Sequence, residues 1–378
     1  MTAVSRSTYA KGQTAMQLQT PEQDELRSTS RKVLLRNATS ERIREVSSTA
    51  AGHDAEFWNQ IAEMGWLALT VPEDNDGLGL GLPELAILGE EFGYSLQPSP
   101  FLAHSLVTWM IAQRGSENLQ VRLVPSLAGG DAVASWALPQ PGDAETLVLR
   151  DGRLNGTRRL VPYANCADHL LVEASADGQP LLVVVDVAAA GTALRVTDQH
   201  TIDLTRPYAR VDFDAVPVEA DAVISLTAAP SELWRAAVAL QCAESVGVTR
   251  RLVQMTVSYV NTRHQFDRPI GSFQAIKHHI ADMHIQLEGA AAATEESVWA
   301  IHRRRSDAAV AAHVAKSWTG RAASWVASEA LQLHGGIGFT WEHDLHLYLR
   351  RAKVNELLLG APAWHDERIF DTLVAGIA

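Results

Sequence analysis

One carboxyl group stands alone in an apolar helical segment, where it could act in proton transfer. Glu244 lies in AVALQCAESVGV and is the only side-chain acid or base, cysteine aside, between Arg235 and Arg250. A carboxyl shielded from water has a raised pKa, which is what a general base working near neutrality needs. A helix-interior acid can also be structural, paired with Arg251 or with an arginine on another helix. The sequence leaves both interpretations of Glu244 open.

Other chemical motifs are weaker. His278 and His279 are adjacent, and His343 and His346 share a helix face, but no set of Cys, His and carboxylate residues has the spacing of a structural zinc site. The segment GLGLGLPE lacks the Gly-Lys-Ser/Thr ending of a phosphate-binding loop. No Gly-x-Ser-x-Gly nucleophile elbow stands out. We therefore predict no metal site.

Three successive patterns predict an α+β protein that is mostly α. Helical spacing occupies the first part, short β-like runs with Asp-Gly turns the middle, and long Ala-rich helical stretches the rest. The strand spacing favours a compact antiparallel sheet over βαβ units, and the long helices predict a four-helix bundle. The predicted domains are a flexible N-terminus at 1–16, a helical domain at 17–127, a β domain at 128–228 and a bundle at 229–378.

Within the bundle, we expect helices at about 231–264, 271–305, 306–334 and 343–360, followed by a short tail helix after Trp364. Ser231 and Ser306 are the expected N-caps, since a serine oxygen can accept from the free amides of a first turn.

Composition excludes several classes of function. A formal net charge of −12 over 378 residues argues against a nucleic-acid or anionic-membrane surface, which needs clustered Lys and Arg. Two cysteines imply no disulfide scaffold and fit a reducing compartment. No run approaches the ~18 apolar residues of a membrane span. The expected location is the cytoplasm.

Two segments of the C-terminal part carry the most specific pattern. RHQFDRPIGSFQAIKHHIADM begins at Arg263, and QLHGGIGFTWEHD begins at Gln332. Together they resemble the flavin-binding half of the acyl-CoA dehydrogenase family, which desaturates acyl-CoA thioesters with bound FAD. The resemblance runs from about Gln17 to the end and is strongest after Ser231.

The resemblance implies an FAD site that is shared between subunits. The arginine of the family's R-x-x-F-G motif would pair with the FAD diphosphate, and the paired glycines would let the backbone approach it closely. In the family these groups reach the flavin of a neighbouring subunit, so a homotetramer or a heterotetramer with a related chain is implied. Asp267 replaces the usual glycine and adds a negative charge nearby. The matching positions are Arg263, Phe266, Gln274, Gln332, Gly335 and Gly336.

The family's catalytic carboxylate, which removes the α-proton while the β-hydride passes to flavin, is missing from its usual positions. The resemblance places Leu359 at the commoner position and Ala237 at the rarer one. Glu244 follows Ala237 by seven residues, about two turns, on roughly the same helix face. Glu244 is therefore the candidate base. Glu356 is a weaker alternative that we expect to pair with Lys353.

The sheet departs from the family as well. Where the family places T-E-P and Trp/Phe-Ile-Thr segments against the flavin ring, this chain has ALPQP at 137–141 and RLVPYA at 159–164. Pro162 takes the threonine position and offers neither a hydroxyl nor a backbone N–H. The chain thus matches the family at the ADP end of FAD and departs from it at the redox end.

Three functions remain open. The first is an FAD-dependent acyl-CoA dehydrogenase of fatty acid or steroid degradation, which forms a trans-α,β double bond and passes electrons to an electron-transfer flavoprotein. The second is a non-catalytic subunit of a heteromeric dehydrogenase, which completes the FAD site of a base-bearing partner. The third is another flavin oxidoreductase on the same fold. A bulky acyl group, such as a steroid side chain, is expected from the atypical base position.

Overall fold

Residues 20–143, 146–226 and 231–375 are described by a computed structural model. The flexible N-terminus predicted at 1–16 and the domain boundary predicted at 228/229 lie outside these residues. The boundary predicted at 127/128 stays a prediction. None of the helices within the described ranges combines enough length with enough apolar character to pass through a lipid bilayer.

The described part of the chain before residue 130 is helical. Thr20 starts the first helix by accepting from the Gln23 amide, and Pro21 occupies its first turn, where no amide partner is needed. The fourth helix is buried along nearly its whole length because it lies between the first helix and the bundle. The helices are α1 (Pro21–Asn37), α2 (Ser40–Ser47), α3 (Ala55–Glu63), α4 (Leu82–Ser95), α5 (Phe101–Arg114) and α6 (Glu117–Gly129).

A twisted sheet follows, with strand order β6-β7-β3-β2-β4-β5-β8 and β1 beside β4. Its pairs are antiparallel except β1 with β4 and β2 with β4, which run parallel. The alternating pattern had not indicated β6 or the short β8. The elements are β1 (Ala134–Ala137), β2 (Val148–Arg150), β3 (Arg153–Pro162), β4 (His169–Ala176), β5 (Gln179–Asp186), a short α7 (Val187–Ala190), β6 (Leu194–Gln199), β7 (Tyr208–Pro217) and β8 (Val223–Ser225).

Long helices form the C-terminal part, as predicted. Ser231 caps the first of them by accepting from the Trp234 amide over 3.0 Å. The prediction that Ser306 caps the third is wrong, because that helix begins one residue later, after Asp307, whose carboxylate is bound by Arg305. The elements are α8 (Glu232–Thr262), α9 (Gln274–His302), α10 (Ala308–His334), α11 (Leu345–Leu357) and α12 (Pro362–Ala375), with a two-residue ladder, β9 (His264–Gln265) and β10 (Arg268–Pro269), between α8 and α9.

Helix α8 is the central element, and its neighbours hold it closely. A Cβ atom added at Gly93 of α4 would lie 2.0 Å from the carbonyl oxygen of Glu244. One added at Gly247 would lie 1.8 Å from the carbonyl oxygen of Glu90. Glycine at both positions lets α4 and α8 approach backbone to backbone. The middle of α8, including Glu244, is therefore sealed from solvent.

Candidate cofactor and active site

The Arg263 motif forms an exposed loop where α8 ends. The Arg263 N–H donates to the Tyr259 carbonyl over 2.8 Å, and the chain then turns through the β9–β10 ladder. Phe266 and Asp267 form the tip with φ of 52° and 61°. A two-residue turn with positive φ at both positions favours Gly, Asn and Asp. Asp267 therefore keeps the backbone shape that a glycine would give, while Phe266 is held 86% exposed.

The second motif is an open turn where α10 ends. Gln332 is exposed in the last turn of the helix, and Gly335 follows with φ 61° and ψ −143°, a conformation that strongly favours glycine. A Cβ atom added at Gly335 or Gly336 would meet no atom within 4 Å. The space above this turn is free for a ligand to approach the backbone.

The fold brings the two motifs together. The ring of Tyr259, one turn before Arg263, stacks on that of His334, the residue before Gly335, with centroids 4.5 Å apart and planes inclined by 19°. Phe266 contacts Phe273, the residue before α9, edge to face at 6.1 Å. We call the exposed residues on these segments the dinucleotide surface: Arg263, Phe266, Gln274, Gln332, Gly335 and Gly336.

The dinucleotide surface fits the ADP half of FAD. Within the described chain Arg263 makes no ion pair, so its guanidinium is available for a diphosphate. The open glycine turn lets phosphate oxygens reach backbone amides, and the exposed Phe266 ring offers an apolar face to a base. Which atoms these residues contact stays a prediction.

Glu244 lies in a buried ionic cluster rather than alone. Its Oε1 accepts from Arg351 Nη1 of α11 at 2.6 Å and from Arg206 of the β6–β7 loop, while its Oε2 accepts from Asn355 Nδ2 at 2.9 Å. Arg351 also binds Asp203 through its Nε. Each of the two carboxylates is thus bound by an arginine, so two acidic side chains face two basic ones. We call Asp203, Arg206, Glu244 and Arg351 the ionic cluster.

The expected raised pKa of Glu244 is wrong. Burial acts to raise the pKa, but the charges of Arg206 and Arg351 and the Asn355 hydrogen bond outweigh it, so the pKa is lowered. The side chain is 1% exposed; two arginines from outside α8 bind its Oε1, and Asn355 binds its Oε2. The open alternative, an acid paired with an arginine on another helix, describes this geometry. Glu356 pairs with Lys353 as expected, at 3.3 Å.

Leu359, which the resemblance predicts at the position of the family's carboxylate, is enclosed. Leu359 is buried, and its N–H donates to Oε1 of Gln140 in the ALPQP segment over 2.7 Å. The carbonyl of Leu359 accepts from Nε2 of His365 at 3.1 Å. Leu359 has a φ of 58°, an uncommon conformation for a bulky residue that the surrounding bonds hold in place. The turn is therefore fixed against the sheet by its own backbone.

Side chains of the sheet and α11 also meet at the predicted redox end. Tyr208 of β7 packs against Val354 of α11, against Leu358, which follows that helix, and against Leu160 of β3. Pro162 of the RLVPYA segment is paired with Tyr208 across the β3–β7 ladder. The RLVPYA segment thus contacts β7 and the C-terminal end of α11 at the predicted redox end.

Comparisons with known proteins identify the family. The chain matches the profile of the acyl-CoA dehydrogenase C-terminal domain over residues 234–373 and of the N-terminal domain over 20–131. It is 33% identical to "Acyl-CoA dehydrogenase IpdE2" of Mycobacterium tuberculosis, over 90% of this chain and 94% of that protein. The chain belongs to the acyl-CoA dehydrogenase family.

Two solved members of this family are similar over nearly their full length. The steroid ACAD Tcur3481–Tcur3483 matches with a TM-score of 0.88 and 30% identity, covering 94% of this chain and 98% of that one. The ChsE4–ChsE5 complex from Mycobacterium tuberculosis matches with a TM-score of 0.88, 28% identity and the same coverage. FAD is the cofactor of acyl-CoA dehydrogenases, which oxidise a CH–CH bond of acyl-CoA.

Sequence reasoning missed four residues that define this acyl-CoA dehydrogenase's inner site: Gln140, Arg206, Arg351 and Asn355. Arg351 lies in the family-like RRAK run, but its partner Glu244 is 107 positions away. The only indication in the sequence was the lone acid in an apolar segment, since a buried carboxylate requires a cation from elsewhere. Nothing local in the sequence identifies which arginines supply it.

Proposed function

We propose that this chain is the non-catalytic subunit of a heteromeric FAD-dependent acyl-CoA dehydrogenase. Its dinucleotide surface completes the FAD site of a related chain that carries the catalytic carboxylate. The closed redox end carries this proposal, because Leu359 occupies the carboxylate position and is bound to Gln140.

The contrast between the two ends supports the assignment. The outer end has an exposed arginine, an open glycine turn and an exposed aromatic ring, all available to a dinucleotide. The inner end is filled by Tyr208, Val354 and Leu358, and the buried carboxylates of Asp203 and Glu244 beside it are held by arginines. A chain that bound and reduced its own flavin would need, at the inner end, an open space and a carboxylate that no arginine holds.

In this assignment bound FAD supplies the hydride acceptor, and the partner's carboxylate takes the proton. The residues of this chain bind and orient. Arg263 neutralises the diphosphate, the backbone of Gly335 and Gly336 lies against it, and Phe266 and Gln274 contact the adenosine half. The ionic cluster keeps the bundle and the sheet together.

We also propose the wider setting. The acyl group is bulky, as the steroid ACAD among the similar structures favours. Electrons leave through an electron-transfer flavoprotein, and the assembly is a heterotetramer rather than a homotetramer. The two cysteines, Cys166 and Cys242, are free thiols, which supports a reducing, cytoplasmic location.

The test uses the tagged full-length chain. One preparation is purified from its own cells together with its partner, and the other is produced without the partner. We expect the chain alone to be colourless and the chain with its partner to be yellow and to oxidise acyl-CoA. Arg263→Ala weakens FAD binding to the complex by about 2 kcal/mol, roughly thirtyfold, because a charge-assisted contact is lost. Flavin absorbance after dialysis against a range of FAD concentrations measures this change.

Arg150→Ala is the matched control, since Arg150 is an exposed arginine on β2 of the sheet. It removes the same charge and leaves the dinucleotide surface intact, so flavin content should not change. A yellow chain that turns over acyl-CoA without a partner contradicts the proposal.

A further inference from the structure

Two stacked rings join the halves of the dinucleotide surface. The Tyr259 carbonyl accepts a hydrogen bond from the Arg263 N–H over 2.8 Å, and His334 directly precedes Gly335. Their rings lie nearly parallel, 4.5 Å apart and inclined by 19°. Because Tyr259 lies one turn before Arg263 and His334 directly precedes Gly335, this stack links the two halves of the surface.

The stack is rigid on the His334 side. His334 is 3% exposed, and its Nδ1 lies 2.7 Å from the Ala330 carbonyl oxygen. A carbonyl can only accept, so Nδ1 carries the proton. The edge of the His343 ring approaches from another side, with centroids 5.0 Å apart and planes at 63°. The ring therefore has one orientation.

Hydrogen bonding alone does not explain why a histidine stands at position 334. Its Nε2 is buried and has no partner among the described residues, which costs free energy. Burial lowers the pKa of His334, so the ring is neutral and offers no charge to a phosphate. The imidazole contacts Tyr259 through its flat face. Stacking is therefore the interaction that a histidine makes at this position.

We propose that Tyr259 and His334 are positioning residues for the FAD diphosphate. Their stack fixes the distance between the Arg263 guanidinium and the Gly335–Gly336 backbone, which must reach the same pair of phosphates. This inference rests on the proposed function. A site assembled from two helix ends binds tightly only when both ends are held in place beforehand, because otherwise binding must order them.

The experiment replaces the rings in the complex purified from the chain's own cells. Tyr259→Leu and His334→Leu keep apolar volume and lose the stack, so FAD affinity should fall about tenfold. Tyr259→Phe and His334→Phe keep a flat ring and should bind FAD within about twofold of the unmodified complex. Affinity is measured by removing the flavin and titrating FAD back, with subunit content and melting temperature recorded for each variant.

The control is His365→Leu, which removes another buried imidazole of the bundle. His365 stacks on Trp234 at 6.0 Å and 19° and lies away from the dinucleotide surface. It should lower the melting temperature without changing FAD affinity. If the Leu variants at 259 and 334 behave like His365→Leu, or if the Phe variants lose FAD equally, the positioning role is wrong.

The outcomes separate this inference from the function beneath it. If Arg263→Ala loses FAD and the ring variants do not, only the positioning role fails. If no flavoprotein copurifies with the unmodified chain, the proposed function fails and the positioning role fails with it.

Discussion

At the scale of single residues, the environment of Glu244 decides its chemistry. A proton acceptor needs a free oxygen, a pKa near the working pH and a path to substrate. Glu244 has both oxygens occupied, a lowered pKa and almost no exposure. Its neighbours hold the carboxylate ionised, and a carboxylate held in this way stabilises the fold.

Glu244→Gln tests that assignment. The substitution leaves Arg206 and Arg351 short of one negative charge in a buried site, which should lower the free energy of unfolding by roughly 3 kcal/mol. FAD content and turnover of each folded complex should stay unchanged. Thermal unfolding and acyl-CoA oxidation, normalised to folded complex, measure the two effects. If turnover falls by orders of magnitude while the melting temperature holds, Glu244 is the base after all.

Glu356→Gln is the companion variant, because Glu356 was the weaker candidate. Glu356 is half-buried and binds Lys353 and Ser324, so loss of its charge should cost about 1 kcal/mol or less. Turnover should again be unaffected. The pair of variants therefore tests both candidate carboxylates of this chain.

A buried histidine pair predicts acid sensitivity. Nδ1 of His313 and Nδ1 of His365 are 2.9 Å apart, so one must donate and the other accept. Burial lowers the pKa of His313 to about 4 and that of His365 to about 3, with the charges of Arg368 and Lys316 respectively adding to the effect. Both rings are neutral in the folded chain.

The direction in which stability changes with pH follows from these lowered pKa values. Both groups bind protons more readily when unfolded, where the pKa is 6.5. Their contribution to stability is complete above that pH and is lost as pH falls from 6.5 toward 4. We expect the melting temperature to drop over this window, and His365→Gln to flatten the drop. Equal slopes in both proteins between pH 7 and 5 would show that other groups control acid unfolding.

At the scale of elements, α10 presents an unusual outer face. Val314, Trp318 and Trp325 are 41%, 48% and 38% exposed, and the same face continues through Ser328 to Gln332. Large exposed aromatic residues mark interaction surfaces. Because the stripe leads into the dinucleotide surface, the partner chain should cover it.

Trp325→Ser should weaken the heteromer by about 2 kcal/mol, roughly thirtyfold in dissociation constant, since buried tryptophans dominate interfaces. Sedimentation at several concentrations measures the change. Val121→Ser is the control, because Val121 is 72% exposed on α6, away from the bundle. Unchanged assembly of Trp325→Ser would show that the stripe faces solvent in the complex.

Element boundaries were largely predictable, and the exceptions have physical causes. Ser231 caps α8 as expected, because its hydroxyl oxygen can accept from the Trp234 amide while its proton is donated to Glu173. Ser306 does not cap α10, since Arg305 reorganises the turn by binding Asp307. The parallel pairs of β4 were not foreseen, because alternation along a strand reports its faces and not the direction of its neighbours.

At the scale of the whole molecule, the family was readable from sequence and the inner site was not, while the roles of the outer-site residues stay a prediction. Arg263 and Gly335 belong to contiguous motifs, so their types and spacing carried the prediction. The ionic cluster joins the β6–β7 loop, α8 and α11, which are far apart in the chain. Long-range pairings of this kind become visible only once the fold places them.

The sheet–bundle junction closed by Gln140, Leu359 and Tyr208 has one further consequence. A protein whose interior is completed by a vitamin-derived group is stabilised by mass action when that group is plentiful. On the proposed function this chain completes that region with its own side chains, so its folding is expected not to depend on riboflavin supply. The folded chain should then accumulate to the same level in cells that are short of the vitamin.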